Sequence, residues 1–329
     1  MVAEIRHAAY ILVFMSENPA FLDAGRPPVP DLVVPRGVTP FFLPDRPVRG
    51  RLVRLGPLAD VLLTRHGAHP VVAALTGQAL ALAAALASAL KFQGTFSLQA
   101  KGDGPVKVLL ADCTDTGALR GYAQVNTERL EAMVAIDPAP STGALLGKGF
   151  LAFTVDPGNG GERYQGIVQL FGAALSDMAL HYFETSEQLR YMVRLACQHT
   201  DSGWRAAAFV LEKIAGAGEV DSALSDAAQE EEWRTATILA GTLSDAELLD
   251  DALEPERLLY RLYHADGVAV DRSRSLSFGC RCSRARLAGI LEGFSGSDLD
   301  HMSIDGEIVM TCEFCNYDFR FPREGVRGT

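Results

Sequence analysis

The chain has 329 residues, of which 48% are hydrophobic and 22% charged, and its net charge is −11 at pH 7. This length predicts one large domain or two to three smaller ones, with enough apolar residues for a packed core. The acidic balance argues against general electrostatic attraction to nucleic acid or to an anionic membrane, so we expect neither as a partner.

The N-terminal region predicts a loosely ordered arm over residues 1–45, because its many prolines interrupt helices and strand pairing. It contains no pattern typical of a secretory signal. The longest apolar stretch, residues 71–90, is long enough to span a bilayer. It is rich in alanine, carries Thr76, Gln78 and Ser88, and lacks flanking aromatic residues, which favours a buried core helix. We therefore expect a cytoplasmic protein.

Residues 46–215 predict a domain built on a mixed α/β sheet. Apolar residues alternate over 96–100 and again over 106–110, with a glycine-containing turn between them, which is typical of a β-hairpin. The glycine-rich loop 156–163 lacks the lysine of a phosphate-binding loop, so we interpret it as a hairpin turn. Further predicted elements are strands near 119–126, 149–155 and 164–170 and a helix over 171–189.

Residues 216–275 predict an acidic helical linker. Between Glu212 and Arg257 the chain has 13 acidic and three basic residues, a net charge of −10, which leaves the rest of the molecule near −1. The stretch also carries apolar residues at helical spacing, and Pro255 is placed where a helix would start. Composition alone supports equally a solvated acidic helical face and a marginal segment that folds only against its neighbours.

Residues 276–329 predict a small zinc-binding domain. Cys280-x-Cys282 is followed, after 29 residues, by Cys312-x-x-Cys315. Two close pairs of this kind are typical of a tetrahedral site for one Zn²⁺. Five nearby arginines favour thiolates, and two short-loop disulfides become possible once the metal leaves. These arginines are Arg272, Arg274, Arg281, Arg284 and Arg286.

The alternative function for this domain is a zinc ribbon that binds nucleic acid or a partner protein, and a thiol oxidoreductase is a further one. The chain has no convincing catalytic constellation, so we expect no enzyme. Cys113 and Cys197 are isolated and are expected to be buried and inert. His66 and His69 lack a third ligand, and His301 is expected on the surface.

The chain resembles the 33 kDa chaperonin family of redox-regulated heat-shock chaperones over roughly residues 36–320. The segments "DGEIVMTCEFCNYDFRF" (305–321) and "ALKFQGTFSLQAKGDGPVKVLLADC" (89–113) carry most of this resemblance, together with "LRGYA" (119–123), "YQGIVQL" (164–170) and "YFETSEQL" (182–189). Three features differ from the family pattern: the N-terminal arm is longer than usual, Asn316 replaces the usual glycine, and "RYMV" follows "SEQL" in place of Pro-Thr.

The resemblance implies an ATP-independent holdase with an N-terminal α+β domain, a metastable linker and a small zinc domain. It implies that Cys280, Cys282, Cys312 and Cys315 hold one Zn²⁺ in the reduced, inactive protein. Oxidants such as hypochlorite, or peroxide with heat, would then form the disulfides Cys280–Cys282 and Cys312–Cys315 and expel the metal. The implied partners are unfolded or misfolded client proteins and, in the oxidised state, a second copy of the chain. On this basis, metastability is the preferred interpretation of the acidic linker.

Overall fold

A computed structural model of the chain describes residues 32–44, 46–158, 160–214, 226–265 and 267–326. The chain forms two compact units, one over Pro30–Gly279 and one that contains Cys280–Thr329. Both units combine helices with antiparallel strands, so the expected α+β fold class is confirmed.

The larger unit is built on one sheet, in which 11 strands are described. Its order is β7-β6-β3-β4-β5-β11-β1-β2-β9-β8, with β10 paired to β1. All pairings are antiparallel except that of β11 with β5. The strands are β1 (Val33–Leu43), β2 (Val48–Arg54), β3 (Thr95–Gly102), β4 (Val106–Thr114), β5 (Ala118–Val125), β6 (Gly149–Asp156), β7 (Tyr164–Gln169), β8 (Tyr191–Thr200), β9 (Gly203–Lys213), β10 (Ala269–Val270) and β11 (Arg274–Phe278).

Helices cover both faces of this sheet. They are α1 (Pro57–Thr64), α2 (Pro70–Ala89), α3 (Thr127–Ile136), α4 (Thr142–Leu146), α5 (Leu175–Tyr182), α6 (Asp226–Gly241), α7 (Asp245–Leu249) and α8 (Pro255–Tyr263). The predicted hairpin, the strands after it and the turn between β6 and β7 are confirmed, although Asn159 lies outside the described residues. The helix predicted over 171–189 is shorter, because α5 starts at Leu175 and continues as a π-helical turn, Phe183–Glu187.

Helix α2 is the core helix of the larger unit. Pro70 occupies its first turn, and the His69 imidazole accepts a hydrogen bond from the Val71 N–H at 3.4 Å, so His69 caps the helix. The helix is long and apolar enough to cross a membrane, but 78% of its most apolar window is buried inside the fold. Packing against the sheet thus accounts for its apolar sequence, as the alanine-rich composition predicted.

Strand β1 corrects the expectation of a loosely ordered arm over residues 1–45. Val33–Leu43 pair with β2 on one side and with β10 and β11 on the other. Pro35 is compatible with this strand because it lies in a register shift between Val34 and Val38, where no ladder hydrogen bond is needed. Pro40 lies opposite Arg51 and takes part through its carbonyl, which accepts a hydrogen bond from the Asp271 N–H at 2.9 Å. Residues 1–31 lie outside the described part of the chain.

The acidic segment is part of the larger unit and packs on its sheet through α6, α7 and α8. Its apolar side chains join residues of β1, β2, β8 and β9 in one cluster that includes Trp233, Leu248, Leu258 and Tyr263. Ile238 is an exception, since its side chain is 60% exposed. Strand β11 also belongs to the large sheet, although its residues fall at the predicted boundary between linker and zinc domain.

The described part of the second unit, residues 280–326, is a small α+β fold. It contains α9 (Arg284–Leu291), α10 (Gly296–Met302) and the hairpin of β12 (Glu307–Thr311) and β13 (Asp318–Pro322). Few apolar side chains form its core, which consists of Leu291, Leu299, Ile308, Phe319, Phe321 and Val326. A core of this size provides little hydrophobic stabilisation, so a unit of this kind depends on a further cross-link.

Candidate metal centre

Two local structures carry the four predicted thiols. Cys280 and Cys282 directly precede α9, whose N-cap Ser283 accepts a hydrogen bond from the Arg286 N–H at 3.2 Å. Cys312 and Cys315 lie in the turn that joins β12 to β13. The 29 residues between the two cysteine pairs form α9, α10 and β12, which bring the pairs together.

The turn between β12 and β13 explains the residue that differs from the family pattern. The Asn316 N–H donates to the Cys312 carbonyl at 2.7 Å, and the Cys312 N–H donates to the Tyr317 carbonyl at 2.9 Å. These bonds require Asn316 to take a left-handed conformation, with φ 53°. Glycine adopts this conformation freely, and asparagine tolerates it better than most residues, so the replacement preserves the turn.

The four sulfur atoms lie together. All four Sγ atoms are within 4.8 Å of one another. Cys280 Sγ lies 3.4 Å from Cys282 Sγ and 3.6 Å from Cys312 Sγ, and Cys282 Sγ lies 3.4 Å from Cys315 Sγ. A tetrahedral zinc ion with Zn–S bonds of about 2.3 Å separates its sulfur ligands by about 3.8 Å. The four thiols thus fit a single four-coordinate thiophilic metal.

The four thiols titrate as one coupled set, because their sulfur atoms are in contact. Contact with the Cys282 thiol lowers the pKa of Cys280 to about 6, and contact with Cys280 lowers the pKa of Cys312 far below its usual range. Contact with Cys280 raises the pKa values of Cys282 and Cys315. Like charges at this separation oppose one another, so ionisation of all four thiols requires a cation among the sulfurs.

His301 and the arginines near the cysteines in sequence are not part of the sulfur cluster. His301 is exposed, and its Nδ1 is 2.6 Å from the Ser297 carbonyl oxygen of its own helix. Arg284 lies over the Phe321 ring, with its Cζ 4.5 Å from the ring centroid, and donates to the Arg320 carbonyl. Arg272 and Arg274, which were expected near the first cysteine pair, belong to the larger unit.

The two isolated cysteines are buried in the larger unit, as expected. Burial raises the pKa of each thiol, that of Cys113 and that of Cys197, to about 12. Such thiols hold almost no thiolate near neutral pH and react slowly with oxidants. In an oxidation experiment, these two thiols therefore provide unreactive controls within the same chain for the four clustered thiols.

Sequence reasoning missed the cations that hold the acidic helices. Arg54 is 8% exposed and donates from its guanidinium to the carbonyls of Glu247, Leu248 and Leu253. The signal was present in the sequence, because Arg54 shares one face of β2 with the buried Val48 and Leu52. An arginine on an apolar face indicates a specific acceptor above it.

Comparisons with known proteins agree with this geometry. The family model described as Hsp33 protein matches residues 37–322. The chain is 37% identical to the 33 kDa chaperonin of Caulobacter vibrioides over 294 residues, which cover 88% of this chain and 95% of that protein. It is 35% identical to the 33 kDa chaperonin of Pseudomonas fluorescens, over 87% of this chain and 90% of that protein.

A solved structure shows the same fold. The crystal structure of the 33 kDa chaperonin (heat shock protein 33 homologue) from Thermotoga maritima matches with a TM-score of 0.70 and 21% identity, over 88% of this chain and 96% of that one. The family model and the relatives identify the class of protein as a molecular chaperone. Within that class, the chain belongs to the Hsp33 family.

Proposed function

We propose that this protein is a redox-regulated, ATP-independent holdase, which binds unfolded proteins after oxidation of its four clustered thiols. The observation that carries the proposal is the approach of four Sγ atoms to within 4.8 Å in a chain of the Hsp33 family. Its proposed clients are unfolded or misfolded proteins in the cytoplasm. We also propose that the oxidised form is a homodimer and that the protein is not an enzyme.

In the reduced state, Cys280, Cys282, Cys312 and Cys315 hold one Zn²⁺. The bound ion cross-links the segment before α9 to the turn between β12 and β13, and its binding energy is folding energy for this small unit. The core of residues 280–326 is too small to supply comparable stability by itself. The reduced protein therefore keeps its second unit folded only while the four thiolates are available as ligands.

In the oxidised state, Cys280 pairs with Cys282 and Cys312 pairs with Cys315. Each pair of zinc-bound thiolates loses two electrons and forms one S–S bond, and the two Zn–S bonds break. One molecule of hydrogen peroxide accepts the two electrons, its O–O bond breaks, and two protons from the solvent complete two molecules of water. Two molecules of peroxide oxidise all four thiols, after which no thiolate remains to hold a metal. Cytosolic thiols reverse the reaction by disulfide exchange.

Loss of the cross-link provides the chaperone surface. The acidic linker carries a net charge of −10 between Glu212 and Arg257, so its compact form is opposed by like-charge repulsion. In its folded form it covers Phe41, Leu43 and Phe209 of the large sheet. Release of the linker exposes these side chains and its own apolar residues, while its charge keeps a client complex soluble.

The proposal is tested by measuring zinc content and suppression of thermal aggregation on one sample, before and after treatment with peroxide at raised temperature. We expect about one zinc per chain before oxidation. We also expect suppression to appear as the zinc is lost. Cys312→Ser should weaken zinc binding and abolish the normal switch, whereas Cys197→Ala, which removes a buried thiol, should switch normally. Zinc retention with no suppression in either state would contradict the proposal.

A further inference from the structure

The face of the sheet that α6, α7 and α8 cover has a strongly apolar centre. We call this surface the linker-binding face. Its residues alternate along the strands with residues that face α2: Cys197 and Ala206 lie beside Gly77 of α2, whereas Ala196 and Ala207 lie on the linker side. The largest side chains at its centre are Phe41, Leu43, Val48, Leu52, Phe209 and Leu211.

A rim of cations surrounds this apolar centre, and each one pairs with a carboxylate of the acidic helices. Arg194 Nη2 lies 3.1 Å from Asp245, and Arg205 Nε lies 2.6 Å from Asp251. Arg190 also lies over the Trp233 ring, with its Cζ 5.7 Å from the ring centroid. The remaining pairs are Arg36 with Glu254 and Glu256, Arg46 with Glu232, and Arg190 and Lys213 with Glu230.

The cations and the carboxylates come from separate parts of the chain. All six cations lie between Arg36 and Lys213, and all six carboxylates lie between Glu230 and Glu256. The face is therefore basic at its edge although the whole chain carries a net charge of −11. Partly exposed ion pairs contribute little affinity, but complementary charge selects one partner over another and speeds association.

We propose that the linker-binding face, once the linker leaves it, preferentially binds client segments that resemble the linker: amphipathic helices whose apolar residues are flanked by carboxylates. This inference rests on the proposed function, because the linker must first be released. The linker shows which kind of segment fits this face. Its side chains Trp233, Leu248 and Leu258 pack on the apolar centre, and its carboxylates pair with the cations of the rim. The linker thus acts as an internal substitute for a client.

The same surface is poorly suited to nucleic acid, although its rim is basic. Nucleic-acid sites place cations along the path of the phosphates and use aromatic rings as stacking platforms. Here the cations encircle an aliphatic and aromatic centre, and the rings of Phe41 and Phe209 pack against each other, with centroids 5.5 Å apart. A protein segment with apolar residues between its charges matches this arrangement.

The experiment uses the full chain, before and after peroxide treatment, and two labelled peptides. The acidic peptide has the sequence of residues 226–263. In the basic peptide, lysine replaces the six paired carboxylates, and every apolar residue is kept. Fluorescence anisotropy should show that the oxidised protein binds the acidic peptide about tenfold more tightly at low salt, and that the difference falls to about twofold or less at 1 M salt, where the Debye length is about 3 Å. The reduced protein should bind neither peptide, because its own linker occupies the face.

A double variant, Arg194→Glu with Arg205→Glu, should remove or invert the preference in the oxidised protein. The matched control, Arg163→Glu with Lys101→Glu, changes the net charge equally at exposed cations beside β7 and in β3, at the opposite end of the sheet from β8 and β9, and should keep the preference. The net charge of the chain by itself predicts the opposite result, a preference for the basic peptide.

Three outcomes would overturn the inference. If the oxidised protein suppresses aggregation but binds both peptides equally, or prefers the basic one, the inference fails and the proposed function stands. If a single-stranded RNA oligonucleotide binds in the same assay and displaces the acidic peptide, the face is a nucleic-acid site. If the oxidised protein neither suppresses aggregation nor binds the acidic peptide, both proposals fail together.

Discussion

Replacing Arg54 with methionine should release the acidic helices from the sheet without any oxidant. Arg54 is almost fully buried, and its guanidinium is the donor to three carbonyls at and beyond the end of α7. Burial lowers the pKa of Arg54, but an arginine remains protonated at neutral pH. Methionine keeps much of the volume and removes every donor.

The magnitude follows from these three contacts. The Nε–O distance to Leu248 is 2.9 Å and the Nη2–O distance to Glu247 is 2.7 Å, and the third acceptor is the Leu253 carbonyl. A hydrogen bond to a charged group contributes about 1.5–3 kcal/mol, and a buried carbonyl without a donor costs about 1–3 kcal/mol. Because water reaches part of the vacated site, we expect a loss of about 3–5 kcal/mol in docking free energy. Since each 1.4 kcal/mol changes an equilibrium constant tenfold, the undocking equilibrium constant rises about 10²- to 4 × 10³-fold.

Hydrogen exchange of the reduced protein measures this change directly. Amides of α6 to α8 should lose protection in Arg54→Met, while those of β3 and β4 keep it, and aggregation of a test client should be suppressed without peroxide. In Arg54→Lys the loss of protection should be intermediate, because the lysine ammonium keeps the positive charge but cannot donate to all three carbonyls in the planar arrangement of a guanidinium. Arg163→Met, at an exposed arginine, is the matched control. Unchanged protection of α6 to α8 in Arg54→Met would refute the reasoning.

Three further predictions concern other contacts. Gly50→Ala should lower the free energy of unfolding by about 1–3 kcal/mol, read from thermal melts, because the new Cβ would lie 2.2 Å from a ring atom of Phe41. Asn316→Val should weaken zinc binding in a chelator competition, and Asn316→Gly should not, because the turn needs a left-handed residue. The Arg190 and Lys213 side chains lower the pKa of Glu230 to about 2. The stabilising contacts of Glu230 are therefore complete above its unfolded pKa of about 4.5 and are lost as the pH falls towards 2. Hydrogen-exchange protection of α6 should decrease over that pH range, and it should decrease less in Glu230→Gln.

The sequence predicts local elements well and long-range pairings poorly. The hairpin of β3 and β4 and the core helix α2 follow from hydrophobic alternation and apolar length, which depend on adjacent residues. Strand β1 was missed because its prolines suggest disorder, and only its neighbours β2 and β11 reveal that Pro35 lies where the register shifts. Pairing partners distant in sequence leave no such local signal.

The candidate metal centre was predictable for a related reason. Each cysteine pair is a local motif, and the spacing of the four thiols is enough to predict that they lie together as one candidate set of ligands. The contacts that hold the linker were predictable only for Arg54, which alternation places on the apolar face of β2, because the sequence shows the rim cations only as scattered basic residues. Which carboxylate or carbonyl each one meets depends on how α6, α7 and α8 lie on the sheet.

The position of β11 also has a consequence for the synthesis of the chain. In the described sheet, β11 lies between β5 and β1 and joins two halves, β7-β6-β3-β4-β5 and β1-β2-β9-β8. It consists of Arg274–Phe278, so every other long strand of that sheet emerges from the ribosome first. Until β11 arrives, both halves expose an unpaired inner edge, and such edges pair readily with other chains. A nascent chain of this chaperone is therefore itself at risk of aggregation until its last fifth has been made.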